Sequence, residues 1–162
     1  MTTAPEVGAT TLTTPSDREI VITRVFDAPR RLVFEVWTRP EHLPHWMTGR
    51  GDWAMTVCEI DLRPGGSYRL GWSGPGGAEM EITGVYEEVA PPGRLVFVEA
   101  WGGDWPQTHN TLLLTEEDGL TTMSVTVLYP SQQARDAALE TGMKDGMSAG
   151  FERLENYVRT MA

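Results

Sequence analysis

The chain has 162 residues, of which 40% are hydrophobic and 22% charged, which is typical of one globular domain and not of a disordered chain. Its net charge of −10 repels phosphate backbones and anionic lipid, so we expect no nucleic-acid partner and no membrane insertion. No apolar run approaches the ~20 residues of a membrane span and no secretory signal is recognisable, so we expect a cytoplasmic protein.

The N-terminal part is predicted to be a leader, a strand and a bent pair of helices. Residues 1–17 are rich in Thr, Ala and Pro without an apolar period, and we interpret them as a flexible leader to a domain over residues 18–162. The β-branched run Glu19–Phe26 predicts a strand. A helix follows and ends at Pro40, after which a second short helix is predicted up to about Trp46.

The middle of the chain is predicted to consist of strands. We place them at Met55–Ile60, Ser67–Trp72, Glu79–Glu88, Arg94–Trp101, Thr108–Thr115 and Thr121–Tyr129. The Gly- and Pro-rich turns between them are too short for parallel crossovers, so neighbouring strands must pair antiparallel. Gly84, inside one strand, predicts a bulge or sharp bend of the kind that a curled sheet requires.

The C-terminal segment changes to a helical period. Ser131 suits a helix N-cap, and apolar residues recur at spacings of three and four from Met143 to Met161. This order predicts an α+β protein in which a curved six- or seven-stranded antiparallel sheet surrounds a long C-terminal helix, with two short helices after the first strand. We expect function to lie in a hydrophobic cavity between the sheet and that helix.

The long helix carries a stripe of glycines at Gly142, Gly146 and Gly150. Each glycine costs roughly 1 kcal/mol of helix propensity relative to alanine. Either the helix packs unusually close to the sheet, or the missing side chains leave room for a ligand. Because Met143 and Met147 lie beside the stripe and adapt to irregular apolar shapes, we expect this side of the helix to face unfilled space.

Aromatic residues and a few polar ones complete the predicted cavity. Glu99 alternates with Phe97 and Trp101; facing inward it would be a buried carboxylate with a raised pKa, and facing outward it would be solvated. His109 opens a strand after a tryptophan-rich loop, which places it at the cavity mouth. The predicted lining comprises Trp46, Trp53, Trp72, Met80, Tyr86, Phe97, Glu99, Trp101, His109, Met143, Met147 and Phe151.

No catalytic motif is recognisable. Ser148 lies in a literal Gly-x-Ser-x-Gly sequence, but inside a helical period with no strand before it, so it is not a nucleophile elbow. His42 and His45 lack further metal ligands at a suitable spacing. The single Cys58 cannot form an internal disulfide and is expected to be an inert thiol. We therefore expect no metal and no cofactor, and whether the domain catalyses a reaction stays open.

Several short motifs together resemble a known family. They are Ile22–Pro29, Trp37, Pro40–Trp46, Pro64–Tyr68, Gly84–Tyr86, and a C-terminal run from Ser131 through Arg135 and Asp136 to Gly142, Met143 and Gly150. As a set they resemble the START-like (SRPBCC) superfamily, and within it the bacterial single-domain members of the family named after the activator of heat-shock-protein-90 ATPase. The resemblance covers about Glu19 to Met161 and implies a helix-grip fold with an elongated cavity under the long helix.

The resemblance implies three kinds of function. Superfamily relatives bind lipids, sterols, hormones and polyketides, so the first hypothesis is the binding of a hydrophobic small molecule. Some relatives are cyclases or hydrolases, so the second is an enzyme acting on an aromatic polyketide-like substrate. The third is a chaperone-regulating interaction module, although we expect no counterpart here of the separate domain through which eukaryotic activators make their principal chaperone contacts. The resemblance is also compatible with a homodimer.

Overall fold

One curved antiparallel sheet organises the chain. The computed structural model describes residues 7–47, 52–102 and 105–161. Its strands are β1 (Thr10–Thr13), β2 (Glu19–Phe26), β3 (Ala54–Ile60), β4 (Ser67–Ser73), β5 (Glu79–Ala90), β6 (Arg94–Ala100), β7 (Thr108–Glu117) and β8 (Leu120–Leu128). Its helices are α1 (Arg30–Thr38), α2 (Gln132–Leu139) and α3 (Met143–Met161), with short 3-10 helices at Leu43–His45 and Pro75–Gly77.

All neighbouring strands pair antiparallel, in the order β1-β2-β8-β7-β6-β5-β4-β3. Strands β3 to β8 follow one another as hairpins, which confirms the antiparallel pairing predicted from the short turns. The connection from β2 to β3 carries α1 and the Leu43–His45 helix across one face, and β2 then pairs with β8. The sheet therefore unites the two ends of the domain at β2–β8 and has β1 and β3 as its edges.

Two predicted features differ from the structure. The sheet has eight strands, not six or seven, because residues 10–13 of the predicted leader form β1 at the edge beside β2. This four-residue strand is too short and too rich in threonine to show an apolar alternation. The predicted helix from Pro40 to Trp46 is only a single 3-10 turn at Leu43–His45.

The core lies between the sheet and α3. Its inward-facing residues on β2 include Ile20, Ile22 and Phe26, and all three are buried. The Phe26 ring meets Phe151 of α3 edge-on, with ring centroids 6.3 Å apart. Phe151, Leu154 and Val158, the large buried residues of α3, recur at spacings of three and four, which confirms the amphipathic helix.

Helix α3 packs against the β1–β2 side of the sheet. It contacts α1, α2, β1 and the Leu43–His45 helix. Gly142, whose φ is 76°, separates α3 from α2, because this left-handed conformation ends a helix and is readily adopted only by glycine. The Leu43–His45 helix also contacts β3, and the site described below lies between this part of the chain and β3 to β6. Among the described residues, no helix has the length and apolarity needed to cross a bilayer.

Candidate functional site

A small cavity lies between the end of α1 with the chain that follows it and the concave face of β3 to β6. Its volume is about 40 Å³, and its lining residues are Trp37, Leu43, Met47, Ile60, Tyr68, Leu70, Tyr86, Leu95, Phe97 and Glu99. This volume has room for a few water molecules, whereas pockets for drug-sized ligands span roughly 300–1,000 Å³. A ligand of that size therefore requires the lining to move.

The polar end of the cavity is built by one row of residues across three strands. Tyr68 on β4 pairs with Gly84 on β5, and Gly84 pairs with Glu99 on β6. A Cβ atom on Gly84 would lie 2.2 Å from the Tyr68 ring, so only glycine leaves room for this ring to cross β5. The Tyr68 hydroxyl thereby reaches Glu99 and donates a hydrogen bond to its Oε2. Gly84 therefore makes room for the Tyr68 ring and does not mark the predicted bulge or bend. The register shift of β5 lies further along the strand, between Tyr86 and Glu88.

Glu99 faces inward, at the edge between the apolar cavity and the open end of the sheet. Its Oε1 accepts a hydrogen bond of 3.0 Å from the indole N–H of Trp101, so both carboxyl oxygens are engaged by aromatic side chains. Burial raises the pKa of the Glu99 carboxyl above its ordinary value, and the hydrogen bonds from Tyr68 and Trp101 oppose this rise. Of the two orientations considered for Glu99, the structure has the inward one.

The charge of this carboxyl also acts on three tyrosine hydroxyls. Burial raises the pKa of the Tyr68 hydroxyl strongly, and the nearby Glu99 adds to the rise. Burial and, to a lesser extent, the charges of Cys58 and Glu99 raise the pKa of Tyr86. The pKa of Tyr129 rises to about 12 for the same two reasons, burial and the Glu99 charge. These phenols stay protonated at neutral pH and can act as hydrogen-bond donors.

The indole N–H of Trp37 is the remaining polar group of the lining. Its Nε1 atom is buried and has no hydrogen-bond partner among the described residues. The ring is held between Trp46 and Phe151, with centroid distances of 5.1 and 6.2 Å. The cavity thus combines an apolar wall, a hydrogen-bonded carboxyl and one buried unpaired donor.

The concave face opens to solvent beyond Glu99. Trp101 is 47% exposed, and Met80, which pairs with the buried Trp72, is 37% exposed. The Trp72 indole donates a hydrogen bond of 2.6 Å to the Met47 carbonyl, which ties β4 to the chain beyond the Leu43–His45 helix. Trp53 packs on the backbone of Gly74, where a Cβ would lie 2.5 Å from its ring. Met80 and Trp101 therefore lie at the exposed rim, and neither they nor Trp53 and the buried Trp72 are among the residues that line the cavity.

Three predicted lining residues are in the cavity wall itself: Tyr86, Phe97 and Glu99. Trp46 and Phe151 lie one layer behind Trp37, and both are buried in the core. Met143 and Met147 are half-buried against the core, and the Tyr129 hydroxyl lies 4.0 Å from the Met143 sulfur. No residue of α3 is among those lining the cavity described above.

The predicted glycine stripe and His109 lie elsewhere. A Cβ on Gly146 would meet no atom within 4 Å, so this position is open, whereas Gly150 is buried with the Trp46 carbonyl oxygen 3.9 Å from such an atom. His109 lies on the outer face of β7, where its Nε2 is 2.7 Å from the Glu87 carboxylate. The structure thus does not bring His109 to the cavity.

The other sequence candidates have structural partners. The Ser148 hydroxyl lies within α3 and donates to Thr10 of β1 over 3.3 Å. His42 hydrogen-bonds the Tyr157 hydroxyl over 2.7 Å, and the His45 ring stacks on Tyr157 at 4.5 Å. Residues 7–47, 52–102 and 105–161 contain no group of three or more His, Cys, Asp or Glu that could hold a metal ion.

Sequence patterns missed the wall that comes from the chain around Leu43 and from β3, β4 and β6. The missed residues are Trp37, Leu43, Met47, Ile60, Tyr68, Leu70 and Leu95. One signal for Tyr68 existed, since a glycine in the middle of β5 is compatible with close approach of a neighbouring side chain as well as with a bend. A shallow depression of about 510 Å³ along α2 is lined only by residues of that helix and its C-cap (Gln132, Gln133, Asp136, Ala137 and Glu140).

A curved antiparallel sheet with a long C-terminal helix on its concave face is the helix-grip architecture of the START-like superfamily. A protein from Rhodobacter sphaeroides has this fold with a TM-score of 0.89 and 29% identity, covering 93% of this chain and 98% of its own. A protein from Mycobacterium smegmatis matches with a TM-score of 0.80 and 25% identity, covering 92% of this chain and 96% of its own.

The chain belongs to the family described as activator of Hsp90 ATPase homolog 1-like protein, whose pattern matches residues 27–159. This confirms the resemblance inferred from the short motifs. DynU16, a protein of the dynemicin biosynthetic locus, shares the fold with a TM-score of 0.69 and 23% identity, covering 90% of this chain and 48% of its own. No curated protein matches the chain.

Proposed function

We propose that this domain binds a hydrophobic small molecule on the concave face of β3 to β6. The observation that carries the proposal is a mainly apolar cavity whose lining includes the hydrogen-bonded pair of Tyr68 and Glu99. An apolar wall with one or two oriented polar groups is the usual composition of a small-molecule site. Affinity would come from buried apolar area, at about 25 cal/mol per Å² before the costs of binding are subtracted.

Binding requires the cavity to enlarge beyond its 40 Å³. The wall that can move with least disruption comes from Leu43 and Met47, because the helix at Leu43–His45 is a single turn. Methionine side chains also adapt readily to new shapes. Enlargement toward Met80 and Trp101 would join the cavity to the exposed rim, where a long ligand could leave the protein interior.

The experiment is a binding titration with N-phenyl-1-naphthylamine, a neutral apolar probe whose fluorescence increases in apolar surroundings. Leu70 lines the cavity and is buried, so Leu70→Phe should occupy the space and lower affinity for the probe by about tenfold, equivalent to about 1.4 kcal/mol. Overpacking would also cost about 1–3 kcal/mol of stability, so the titration is performed where the variant remains folded.

The matched control is Leu113→Phe, which makes the same change on the outer face of β7, where Leu113 is 38% exposed. Its affinity for the probe should stay within about twofold of the original, a difference of about 0.4 kcal/mol. Equal affinity of all three proteins would place the probe elsewhere and would refute the site. Native mass spectrometry of freshly purified protein would further show whether a small molecule is retained.

A second candidate function, acid catalysis on an aromatic polyketide-like substrate, is favoured by the Glu99 carboxyl. Because burial raises its pKa, this group keeps its proton to higher pH than a solvated glutamate and could protonate a bound oxygen. In that case Glu99→Gln would retain binding of N-phenyl-1-naphthylamine and lose turnover. Undiminished turnover would exclude Glu99 as the acid.

A chaperone-regulating role is the less supported proposal. The large hydrophobic side chains exposed among the described residues are Val7, Met80, Val85, Trp101, Trp105 and Leu113. They are distributed over both faces of the sheet and the loops, and only Met80 and Trp101 share the rim of the proposed ligand site. An interaction module would be expected to present a contiguous apolar patch.

A further inference from the structure

We propose that the polar end of the ligand is a primary ammonium group, which donates hydrogen bonds to the Glu99 carboxylate. This inference rests on the proposed small-molecule binding and specifies the ligand as an amine with an apolar remainder. It starts from a carboxyl group that lines the cavity without a positively charged partner.

No ion pair joins Glu99 to a Lys, Arg or His within the described part of the chain. Its hydrogen-bond donors are two neutral groups, the Tyr68 hydroxyl and the Trp101 indole. By contrast, Glu155 of α3, which is 12% exposed, is paired with two arginines. A buried charge in a folded protein is normally compensated by an opposite charge. A cationic ligand group would supply this compensation at Glu99.

The Glu99 carboxylate can also accept more hydrogen bonds than it receives. Tyr68 donates to its Oε2 and Trp101 donates to its Oε1, so each oxygen accepts one bond. A carboxylate offers about four acceptor positions, so about two are left for a ligand. A primary ammonium group has three N–H donors and no acceptor, so it can use these positions without competing for the two existing donors.

Three aromatic rings share the cavity lining with Glu99 and favour a cation. The ring centroid of Tyr68 lies 5.2 Å from that of Tyr86 and 6.0 Å from that of Phe97. The face of an aromatic ring attracts a cation that lies within about 6 Å. None of the lining residues in the described chain is Lys, Arg or His, and the net charge of −10 adds a long-range attraction for cations. Ring faces, carboxyl and net charge therefore select the same sign of ligand charge.

The size of the cavity also suits an ammonium group. Its volume of about 40 Å³ holds a few water molecules, and an ammonium group is similarly compact. This head group would occupy existing space, whereas the apolar remainder requires Leu43 and Met47 to move. From Glu99 the remainder would extend toward the exposed rim at Met80 and Trp101.

The test compares 2-(1-naphthyl)ethylamine with 2-(1-naphthyl)ethanol, in which a neutral hydroxyl replaces the ammonium group. At about pH 8 the amine is protonated, since alkylammonium groups have pKa values of about 10. Isothermal titration calorimetry of the unaltered protein should show that the amine binds about tenfold more tightly than the alcohol. In Glu99→Gln, which keeps the shape of the side chain and removes its charge, affinity for the amine should fall about tenfold. Affinity for the alcohol should stay within about twofold.

Two controls separate the contact with Glu99 from general attraction to an acidic protein. Glu87→Gln removes one negative charge beside His109 on the outer face of the sheet, where Glu87 is 50% exposed, and should leave the preference for the amine unchanged. The preference should also persist when NaCl is raised from about 0.05 M to about 0.5 M, because salt screens a buried contact much less than long-range attraction. Loss of the preference in either control would overturn the assignment.

The ligand comparison and the salt control use the unaltered protein alone, in case Glu99→Gln does not fold. Equal affinity of amine and alcohol would overturn the ammonium assignment while leaving the binding site intact. A preference for the amine that survives in Glu99→Gln, or an equal loss of both ligands there, would do the same, because Glu99 would then only shape the site. Failure of N-phenyl-1-naphthylamine to bind the unaltered protein would instead refute the proposed function, and the ammonium assignment with it.

Discussion

Glu99 has an environment that penalises its charge and also hydrogen-bonds it. The carboxyl lies between an apolar cavity and the exposed Trp101, and the Tyr68 hydroxyl donates to it from across β5. Burial is the largest cause of its raised pKa and outweighs these two hydrogen bonds. The native protein therefore binds the Glu99 proton more tightly than the unfolded chain does. In the unfolded chain, glutamates have a pKa of about 4.3.

This difference predicts a pH-dependent effect of Glu99→Gln. A carboxyl whose pKa is raised by folding contributes most favourably below its unfolded pKa, and the contribution is lost as pH rises through the folded pKa. The free energy of unfolding of Glu99→Gln, measured in urea between about pH 4 and pH 8, should therefore improve relative to the original protein as pH rises.

The control for this prediction is Glu81→Gln, because the hydrogen bond from Arg69 lowers the pKa of Glu81. The contribution of Glu81 is fully present above its unfolded pKa and is lost only as pH falls below it, so the stability of this variant relative to the original protein should stay nearly constant between about pH 4 and pH 8. Its overall effect should be small because the pair is exposed. Parallel pH profiles for Glu99→Gln and the original protein would contradict the assigned environment of Glu99.

Strands β4, β5 and β6 act together as the element that positions the polar pair. Their antiparallel register aligns Tyr68, Gly84 and Glu99, and the absence of a side chain at Gly84 allows the tyrosine to cross to the next strand. The two rings of Tyr68 and Tyr86, with centroids 5.2 Å apart, fill the space beside it. The site thus depends on register, which hairpin turns set.

Two glycine-to-alanine variants should therefore have opposite effects. Gly84→Ala would place a methyl group 2.2 Å from the Tyr68 ring, so we expect a loss of about 1–3 kcal/mol in the free energy of unfolding. Gly146→Ala adds a methyl group where no atom lies within 4 Å and should stabilise α3 by up to about 1 kcal/mol. Urea unfolding measures both, and a Gly84→Ala protein as stable as the original would show that Tyr68 can move without cost.

At the scale of the whole molecule, a buried ion pair connects α3 to the sheet. Arg24 on β2 and Glu155 on α3 are 3% and 12% exposed, with Nη2 and Oε2 3.7 Å apart. Arg24 also donates to the Thr10 hydroxyl over 2.9 Å, which includes β1 in the same contact. The Arg24 Nε and Glu155 Oε1 atoms have no partner among the described residues, so the pair is incompletely compensated for burial.

Removing one partner should be far more harmful than removing both. Glu155→Leu leaves Arg24 buried without its carboxylate, and we expect it to cost about 3–5 kcal/mol. Adding Arg24→Met to this variant should recover most of the lost free energy of unfolding, because two packed apolar side chains then replace two buried charges. A double-mutant cycle of urea unfolding experiments measures the coupling.

The matched control is the exposed pair of Arg63 and Asp61, which are 2.8 Å apart and 71% and 50% exposed. Its coupling should be below about 1 kcal/mol. Coupling between Arg24 and Glu155 as weak as that of this control would show that apolar packing alone holds α3 in place.

Sequence patterns alone predicted most of the architecture of this protein. Strand Glu19–Phe26, the antiparallel hairpins and the amphipathic stripe of α3 were all readable, because periodicity and turn chemistry are local properties of the chain. Strand β1 was not readable, because a four-residue edge strand is stabilised by pairing with β2 and has no apolar period of its own. The inward orientation of Glu99 was left as one of two possibilities.

Only the tertiary structure decided which residues share the cavity. Tyr68 and Glu99 are 31 positions apart and meet because register brings them into one row, while Trp37 and Leu43 approach that row from another part of the chain. Conversely, local patterns predicted that His109 and the glycine stripe containing Gly146 would face the cavity, but both lie away from it. Local pattern determines which elements form, whereas register and packing between distant elements determine which side chains face the same space.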